Sequence, residues 1–318
     1  MSWSKMPTAA ALGPDSASVP AGIAMSRRPS PAARFTSEDR PLNGWVRFQR
    51  LARHLGRNAR SIIMLPALVA TAQAADPDRL EMRIEMFGTA GLHVATNHTI
   101  VEETAGRYAI TTDVESRGVG ALFVELTSHS EVRGKLTGTA LLPQAYIGEV
   151  HRNGVISRSR VDYAPDGTVT AESIPPPETH TPVTAPLMRG TVDQLTAFLM
   201  IERQLAARGS CALMISVFDG RRRYDLHFDD VAPGGARSFA SSVSSQTQAC
   251  RMRREALAGF RDESGRTEGA YAGTLWFARL VQGDMLIPLE MEFSTEFGTV
   301  TGQLAEVRGR GVHLQFAK

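Results

Sequence analysis

The sequence predicts a mainly β fold, a strongly curved antiparallel sheet or open barrel of about ten strands, with one helix covering its concave face. Three observations predict this fold. Apolar and polar residues alternate along many short segments, turn residues separate those segments at hairpin spacing, and one stretch, Thr191–Arg208, carries apolar residues at helical spacing. A lone apolar helix among strands must bury its apolar side, so we expect it to pack against the sheet.

Residues 1–74 differ from the rest of the chain and are expected to form a leader. Residues 1–60 mix Ser, Pro, Ala and Arg without a sustained apolar period, which is typical of a disordered segment or a misassigned start. Residues 61–74 follow three arginines, contain a short apolar run and end in Ala-Gln-Ala. This order is typical of a secretory signal and predicts cleavage before Ala75, and thus a periplasmic or otherwise exported protein. A buried helix of a non-exported domain is the alternative, and it leaves the arginines unexplained.

The predicted mature chain, residues 75–318, is mildly acidic. The leader holds ten basic and three acidic residues, so its removal leaves 25 basic and 30 acidic residues and changes the net charge from +2 to −5. An acidic domain lacks the excess of Lys and Arg that binding a phosphate backbone requires, which argues against a nucleic-acid partner. The apolar run of the leader is too short for a good membrane span, so we expect no spanning segment after signal cleavage. Strand patterns without a long gap predict a single domain.

Alternating apolar and polar residues predict a succession of strands before the helix. Leu80–Met86 alternates apolar with charged residues, the pattern of a half-buried strand. Asn153-Gly154 is the strongest hairpin signal in the sequence, and Arg133–Lys135 is predicted to form another turn. The strands predicted in this part are Leu80–Met86, Leu92–Thr104, Tyr108–Ser116, Phe123–Val132, Ala145–His151, Val155–Tyr163 and Val169–Ile174.

A proline-rich connector leads into the predicted helix Thr191–Arg208. Pro175–Pro177 favours a stiff extended segment rather than an element of secondary structure. Thr191 with Gln194 three residues later predicts a capping box at the start of the helix, and Gly209 predicts a left-handed cap at its end. Five residues of the apolar arc form the candidate ligand cavity: Leu195, Phe198, Leu199, Glu202 and Leu205.

Glu202 interrupts the apolar arc of this helix and allows two interpretations. In the first, the glutamate lies near the exposed end of the helix or pairs with an arginine of the sheet. In the second, it is the polar anchor inside a ligand cavity. The first is the more common situation for a glutamate on a helix.

The segment after the helix predicts a hairpin and a disulfide. With Asp219-Gly220 as a two-residue turn, the facing pairs are Val217 with Arg222, Ile215 with Tyr224, Leu213 with Leu226 and Cys211 with Phe228. One face of the hairpin is then almost wholly apolar, as a buried face requires. Cys211 and Cys250 are the only cysteines, and such a pair in an exported chain is expected to form a disulfide. A metal or redox pair is the alternative, but it lacks the C-x-x-C spacing and a nearby histidine cluster.

A Gly- and Ser-rich loop, Pro233–Ser245, separates this hairpin from the last strands. Turn residues recur at hairpin spacing, so a meander of sequential neighbours is the simplest topology. The strands predicted here are Tyr271–Leu280, Ile287–Glu296, Thr299–Arg308 and Val312–Phe316.

The sequence contains no recognisable catalytic motif. It has no G-x-S-x-G, no H-E-x-x-H, no Walker loop and no G-x-G-x-x-G opening a helix. The histidines of the mature chain are scattered without the spacing of metal ligands. We therefore assign no catalytic, cofactor-binding or metal-binding residue and expect no cofactor.

Several short motifs occur in a fixed order along the mature chain. They are Arg160–Tyr163 leading into Asp166-Gly167, then Asp193–Leu199, Phe218–Leu226, Cys250, Leu275–Ala278, Ile287–Leu289 and Phe297-Gly298. In this order they resemble the exported domain-of-unknown-function family numbered 3108, and the resemblance covers nearly all of the mature chain. It implies an envelope β-rich domain with no established activity and no catalytic residues to transfer. The layout is also similar to the periplasmic lipoprotein carriers, whose half-barrel holds helices against an apolar concave face, although fold alone does not fix function.

These observations give three hypotheses for function. The first is non-catalytic binding of an amphiphilic or apolar ligand, a lipid or a lipidated partner, between sheet and helix. The second is an envelope structural or protein-interaction domain whose interior is filled by side chains. The third, an enzyme, has no motif in its favour. The sequence does not indicate an oligomeric state.

Overall fold

The computed structural model of the chain describes residues 78–179, 181–231, 239, 247–260, 271–281, 285–295 and 298–316. By its internal contacts the chain divides into two units, Met1–Val69 and Ala70–Lys318, and all described residues lie in the second. The predicted leader, the signal segment and the cleavage point before Ala75 lie outside the described residues. None of the helices in the described ranges combines the length and the apolar character that crossing a membrane requires.

The described residues form one antiparallel sheet of 14 strands, where the sequence predicted about ten. The strands are β1 Asp78–Phe87, β2 His93–Thr104, β3 Arg107–Ser116, β4 Leu126–Thr137, β5 Ala140–Arg152, β6 Val155–Tyr163, β7 Val169–Ile174, β8 Leu213–Phe218, β9 Arg223–Asp230, β10 Thr247–Ala258, β11 Tyr271–Ala278, β12 Ile287–Thr295, β13 Gly298–Gly309 and β14 Val312–Gln315. The helices are α1 Gly120–Phe123, α2 Ala185–Met188 and α3 Gln194–Arg208, with a 3₁₀ turn at Thr89–Gly91. The prediction of a mainly β antiparallel protein is confirmed.

Two meanders make up this sheet. Strands β1 to β7 pair in chain order, and so do β8 to β13, because strands that follow one another in the chain commonly pair. The two meanders join where β1 pairs with β13, in a register that places Met82 opposite Val307 and Ile84 opposite Leu304. As a result β7 and β8 form the two edges of the sheet, and β14 pairs with β13 outside the main order.

Strand β4 differs from its prediction at both ends. It begins at Leu126 rather than Phe123, because Gly120–Phe123 forms the short helix α1. It also continues through the predicted turn Arg133–Lys135 as far as Thr137. A Cβ at position 134 would lie 2.4 Å from the Tyr108 ring, so Gly134 leaves room for that buried ring instead of making a turn.

The sequence prediction missed strand β10 altogether. Cys250 and Met252 of this strand are buried, and Arg251 and Arg253 alternate with them on the exposed face. The alternation is that of a half-buried strand. The preceding predicted loop, Pro233–Ser245, lies almost wholly outside the described residues.

The hairpin of β8 and β9 has a different register from the one predicted. Val217 faces Tyr224 rather than Arg222, and the other pairs shift by the same two residues. The connection has four residues, because the Asp219 carboxylate accepts hydrogen bonds from the backbone N–H groups of Arg221 at 3.0 Å and Arg222 at 2.8 Å. A shift of two residues leaves every side chain on its predicted face, so the burial pattern was correct although the pairs were wrong.

The start of helix α3 also differs from its prediction. The N-cap is Asp193, whose Oδ1 accepts from the backbone N–H groups of Leu195 and Thr196, both at 2.9 Å. Thr191 forms no capping box, since its hydroxyl donates to the carbonyl of Met188 at 2.6 Å. The predicted C-cap is confirmed: Gly209 has φ 64° and its N–H donates to the Leu205 carbonyl.

The predicted disulfide between Cys211 and Cys250 is confirmed. The two Cα atoms are 5.6 Å apart, and the bond closes a sequence separation of 39 residues. Both cysteines are fully buried. The disulfide therefore links the segment that follows α3 covalently to strand β10.

Two apolar clusters form the core of the described residues. The first core cluster is built mainly on the meander β1–β7 and on β12 and β13, and includes Leu80, Val101, Val132 and Val161. The second core cluster is built mainly on β8–β11, around Ile215, Leu226, Phe228, Leu275 and Phe277. Helix α3 contributes side chains to both clusters.

Replacing the N-cap should test the observed start of the helix. We expect Asp193→Ala to lower the free energy of unfolding by about 2 kcal/mol, because it leaves the buried N–H group of Thr196 and the partly buried one of Leu195 without an acceptor. Thr191→Ala removes one hydrogen bond and should cost less. Urea unfolding of both variants measures the difference, and a larger loss for Thr191→Ala would support the capping box instead.

Removing the disulfide should destabilise the protein. The chain-entropy model gives about 3–4 kcal/mol for a loop of this length, so Cys211→Ala/Cys250→Ala should unfold at a correspondingly lower urea concentration. Wild-type protein treated with reductant should behave like the double variant. Wild-type protein denatured without reductant should contain no free thiol, and two free thiols would contradict the bond.

Candidate functional site

The residues of the predicted cavity lie along α3 between the two core clusters. Leu199 belongs to the first core cluster and Leu205 to the second, each with 2% of its surface exposed. Leu195 is partly buried against the first cluster and Phe198 against the second. Because this one helix faces both clusters, the region around it is the candidate functional site.

Glu202, the fifth predicted residue, is buried with only 6% of its surface exposed. Its carboxylate forms no hydrogen bond or ion pair with another residue in the described part of the chain. Burial raises the pKa of Glu202 to about 8 against the opposing charges of Arg310 and Arg203, and the nearby Glu103 contributes to the rise. At neutral pH the carboxyl is therefore mainly protonated.

Charged residues of the sheet surround the C-terminal half of α3. Arg203 lies 2.6 Å from a carboxylate oxygen of Glu103, and Arg310 lies 3.3 Å from the other oxygen. Arg310 also lies 2.8 Å from Asp78. Both arginines thus pair with carboxylates other than Glu202, so the contacts in the described residues do not include the predicted pairing of Glu202 with an arginine of the sheet.

The N-terminal end of α3 meets tyrosines of the sheet. The hydroxyl of Tyr108 lies 2.9 Å from that of Thr196, and the amide of Gln194 donates to the Tyr146 hydroxyl at 3.2 Å. The Tyr163 hydroxyl is buried and has no hydrogen-bond partner in the described residues. Burial raises the pKa of all three phenols, so they remain neutral donors or acceptors at physiological pH.

A row of hydroxyl residues crosses the same face of the first meander. The inner face of β1–β7 is the one that carries the buried residues Leu80, Val101, Ile110, Val132 and Val161. Two residues further along each strand, the register aligns side chains that we call the hydroxyl row: Thr99, Thr112, Ser130, Ser159 and Ser173. The row borders the apolar core, so the inner face changes from apolar to polar along the strands.

Hydrogen bonds within the hydroxyl row hold its side chains in place. The hydroxyls of Thr99 and Thr112 are 3.0 Å apart, and those of Ser159 and Ser173 are 3.2 Å apart. Asn97, in the next position along β2, donates to Thr112 at 3.0 Å. In the described residues the row hydroxyls thus pair with each other, with an amide, with a phenol and with backbone carbonyls, not with the histidine side chain that would activate a nucleophilic hydroxyl.

Sequence analysis missed both the tyrosines and the hydroxyl row. A signal was present, because Asn97 and Thr99, Ser128 and Ser130, and Ser157 and Ser159 are polar pairs at strand spacing. Only the register shows that residues from separate strands form one row. A single sequence does not specify that register.

The sheet is not closed between its edge strands β7 and β8. We call the gap between these two strands the seam. Near one end of the seam, Ser173 donates to the carbonyl of Gly220 at 2.8 Å, and Arg221 donates to the carbonyl of Pro175 at 2.6 Å. In the middle of β7 the inner face is exposed at Ala171, which lies opposite the buried Val161, whereas Val169 on the same face is buried.

Two depressions lie away from α3. One of about 520 Å³ is on the outer face of β4–β7 and is lined in part by His129, Ile147 and Arg158. The other, of about 780 Å³, lies between the Thr89–Gly91 turn and the start of β13. None of the five predicted cavity residues lines either depression.

Asp225, His227 and Glu255 place three potential metal-ligand atoms within 4.8 Å of one another on the outer face of β9 and β10. Arg223 lies 2.7 Å from the Asp225 carboxylate and already compensates its charge. An arginine at this distance disfavours a cation, so we assign no metal to this group.

Comparison with known proteins confirms the family resemblance. A family model described as "Protein of unknown function (DUF3108)" matches residues 81–305. A crystal structure described as a beta-barrel-like protein of domain of unknown function DUF1849, from Brucella abortus, is similar over 74% of this chain and 98% of its own, with 10% identity and a TM-score of 0.44. We base no functional argument on a similarity of this size. No curated protein matches the sequence.

The raised pKa of Glu202 predicts how stability depends on pH. Between the pKa of an unfolded glutamate, about 4.3, and about 8 in the folded protein, the folded state binds the extra proton. The free energy of unfolding of the wild type should therefore fall as pH rises through this window. Glu202→Gln removes the ionisable group, so it should match the wild type near pH 4 and exceed it in stability at pH 9.

Thermal melts from pH 4 to 9 measure this difference. Glu172→Gln, at an exposed glutamate of β7, is the control and should follow the wild type throughout. Parallel curves for wild type and Glu202→Gln would show that the carboxylate is solvated.

Proposed function

We propose that this chain, which belongs to the DUF3108 family of proteins of unknown function, is a non-catalytic exported protein that binds an amphiphilic or apolar ligand. The ligand is a lipid or the lipid part of a lipidated partner, and it lies between the inner face of the sheet and α3. In this proposal the helix covers the concave side of the sheet, in a layout like that of the periplasmic lipoprotein carriers. The observation that carries the proposal is the open seam between β7 and β8.

The contacts of α3 support this placement. The helix contacts β8 on one side of the seam and β4 and β5 on the other, while α2 contacts β7. The helices α2 and α3 thus lie along the seam, but no strand of the described residues closes it. An apolar chain can enter beside β7 without separating paired strands, which would cost several backbone hydrogen bonds.

The chemistry of the inner face supports an amphiphile. The first core cluster offers apolar side chains, and the hydroxyl row and Tyr163 offer hydrogen-bonding groups beside it. Ligand sites of this kind combine an apolar lining with a few placed polar groups. A molecule with an acyl chain and a polar head would satisfy both parts, and it would give a partner to the Tyr163 hydroxyl, which has none in the described residues.

Export is supported by the disulfide and by the signal-like segment. Disulfides persist in oxidising compartments and are uncommon in the cytosol of mesophiles. The periplasm or cell envelope is therefore the compartment we propose.

A second candidate function is an envelope structural or protein-interaction domain. The full burial of Leu199 and Leu205 favours it, because closely packed side chains leave less room for a ligand. The two candidates differ in whether the exported protein retains an amphiphile.

Native mass spectrometry of protein purified from the periplasm tests the proposal. We expect a bound lipid-sized mass that organic extraction removes. Ala171→Trp should reduce its occupancy several-fold, because an indole on the exposed inner face of β7 fills the seam. Thr170→Trp places the same side chain on the opposite face of the same strand and serves as the matched control.

Both positions are exposed, so the melting temperatures of both variants should remain near that of the wild type. Wild-type protein that carries no amphiphile and binds none on titration with a fatty acid or phospholipid would favour the structural domain. Equal retention by the two tryptophan variants would place the ligand elsewhere.

A further inference from the structure

We propose that one end of the sheet docks onto the surface of a lipid bilayer through four exposed apolar side chains, which we call the apolar rim: Leu92, Leu122, Phe123 and Val155. In the described residues, Phe123 and Leu122 are the most exposed large apolar side chains, at 82% and 81%. Val155 is 60% exposed and Leu92 is 50% exposed. Apolar side chains exposed to this extent contribute nothing to the core, and a cluster of them marks an interaction surface.

The rim residues come from three connections that the fold holds together. Leu92 directly precedes β2, Leu122 and Phe123 lie in α1, and Val155 starts β6 after the hairpin turn. One backbone hydrogen bond ties the turn before α1 to β2, because the Arg117 N–H donates to the Val94 carbonyl at 2.8 Å. The loop after α1 is tied to the hairpin turn by two hydrogen bonds between Glu125 and Asn153, at 2.9 and 3.0 Å.

Close packing of the backbone of α1 against β2 explains why the side chains of Leu122 and Phe123 are exposed to solvent. A Cβ at Gly120 would lie 2.2 Å from the Val94 carbonyl oxygen, so only glycine lets α1 approach β2 this closely. Gly118 has φ 52° and packs against the backbone of His93 in the same way. With its glycine side pressed against β2, the short helix directs Leu122 and Phe123 towards solvent from a fixed scaffold.

The shape and the charges of the rim suit a bilayer better than a folded partner. The side chains project from separate turns at one end of the sheet and line neither of the two depressions described above, whereas protein interfaces have closely packed cores. Leu and Phe are the residues that peripheral proteins insert below lipid headgroups. Arg117 and Arg152 flank the rim and are exposed, in reach of lipid phosphates.

Apolar insertion is the main contribution to this docking. Arg117 already pairs with Glu115 at 2.7 Å, and Glu125 lies between α1 and the hairpin. Attraction to anionic lipid is therefore partly cancelled. We expect binding to depend only weakly on salt, unlike that of a polybasic segment.

Vesicle sedimentation tests the proposal with the exported full-length protein. The probe is vesicles of phosphatidylethanolamine and phosphatidylglycerol at 150 mM salt, a physiological ionic strength. We expect the wild type to co-sediment and Leu122→Ser/Phe123→Ser to lose about tenfold or more in vesicle affinity. Met214→Ser, at a side chain of β8 that is 60% exposed, is the matched control and should bind like the wild type.

Fluorescence gives a second and direct measurement. Phe123→Trp should shift its emission to the blue and be quenched by brominated lipid when vesicles are added, while Met214→Trp should show neither change. Unaltered melting temperatures for all variants would exclude unfolding as the cause of any loss.

Absence of wild-type sedimentation, or full binding by the double serine variant, would overturn the proposal. So would a rim that binds only a protein from the envelope and leaves vesicles in solution. This docking does not depend on the interior ligand: a protein that binds vesicles without retaining an amphiphile would support the rim and contradict the proposed carrier function.

Discussion

The pairing of β1 with β13 is the contact on which the rest of this structure depends. It joins the first described strand to a strand more than 200 residues later, and it places buried residues of both strands opposite one another. Without it the two meanders would be separate sheets, each with an apolar face exposed to water. That exposure would cost a free energy of roughly 25 cal/mol for every Å² of apolar surface. The cost of closing so large a loop grows only slowly with its length, so burial of these faces outweighs it.

This pairing also determines which strands form the edges of the sheet and where the helix that connects them lies. Because β1 occupies the middle of the strand order, β7 and β8 become the edges, and the connection between them is the segment that contains α3. The helix must bury its apolar arc, and it does so against both meanders. The disulfide then fixes the end of this segment to β10, so that the seam is bounded by covalent as well as packing constraints.

The two ends of α3 have different electrostatic surroundings. At its start, Asp193 caps the helix where the partial positive charge of the N-terminus favours a carboxylate, although burial raises the pKa of Asp193. Towards its end, Glu202 is buried among charged groups that pair with one another, and it becomes a neutral acid instead. The hydroxyls and phenols of the interior therefore lie beside buried charged residues such as Arg203 and Asp219.

The sequence by itself determined the strands with clear alternation, the faces they bury, the C-cap Gly209, the disulfide and the family. These features depend on local periodicity, on residue type or on the compartment. It did not determine the register of the β8–β9 hairpin, because a slip of two residues keeps the same faces and only the Asp219 turn distinguishes the two registers. It missed β10. It also placed a turn at Gly134, because the Tyr108 ring for which this glycine leaves room lies on another strand. The hydroxyl row, the open seam and the apolar rim were decided only by tertiary structure, since each combines residues that are distant in sequence and meet through strand register and loop packing.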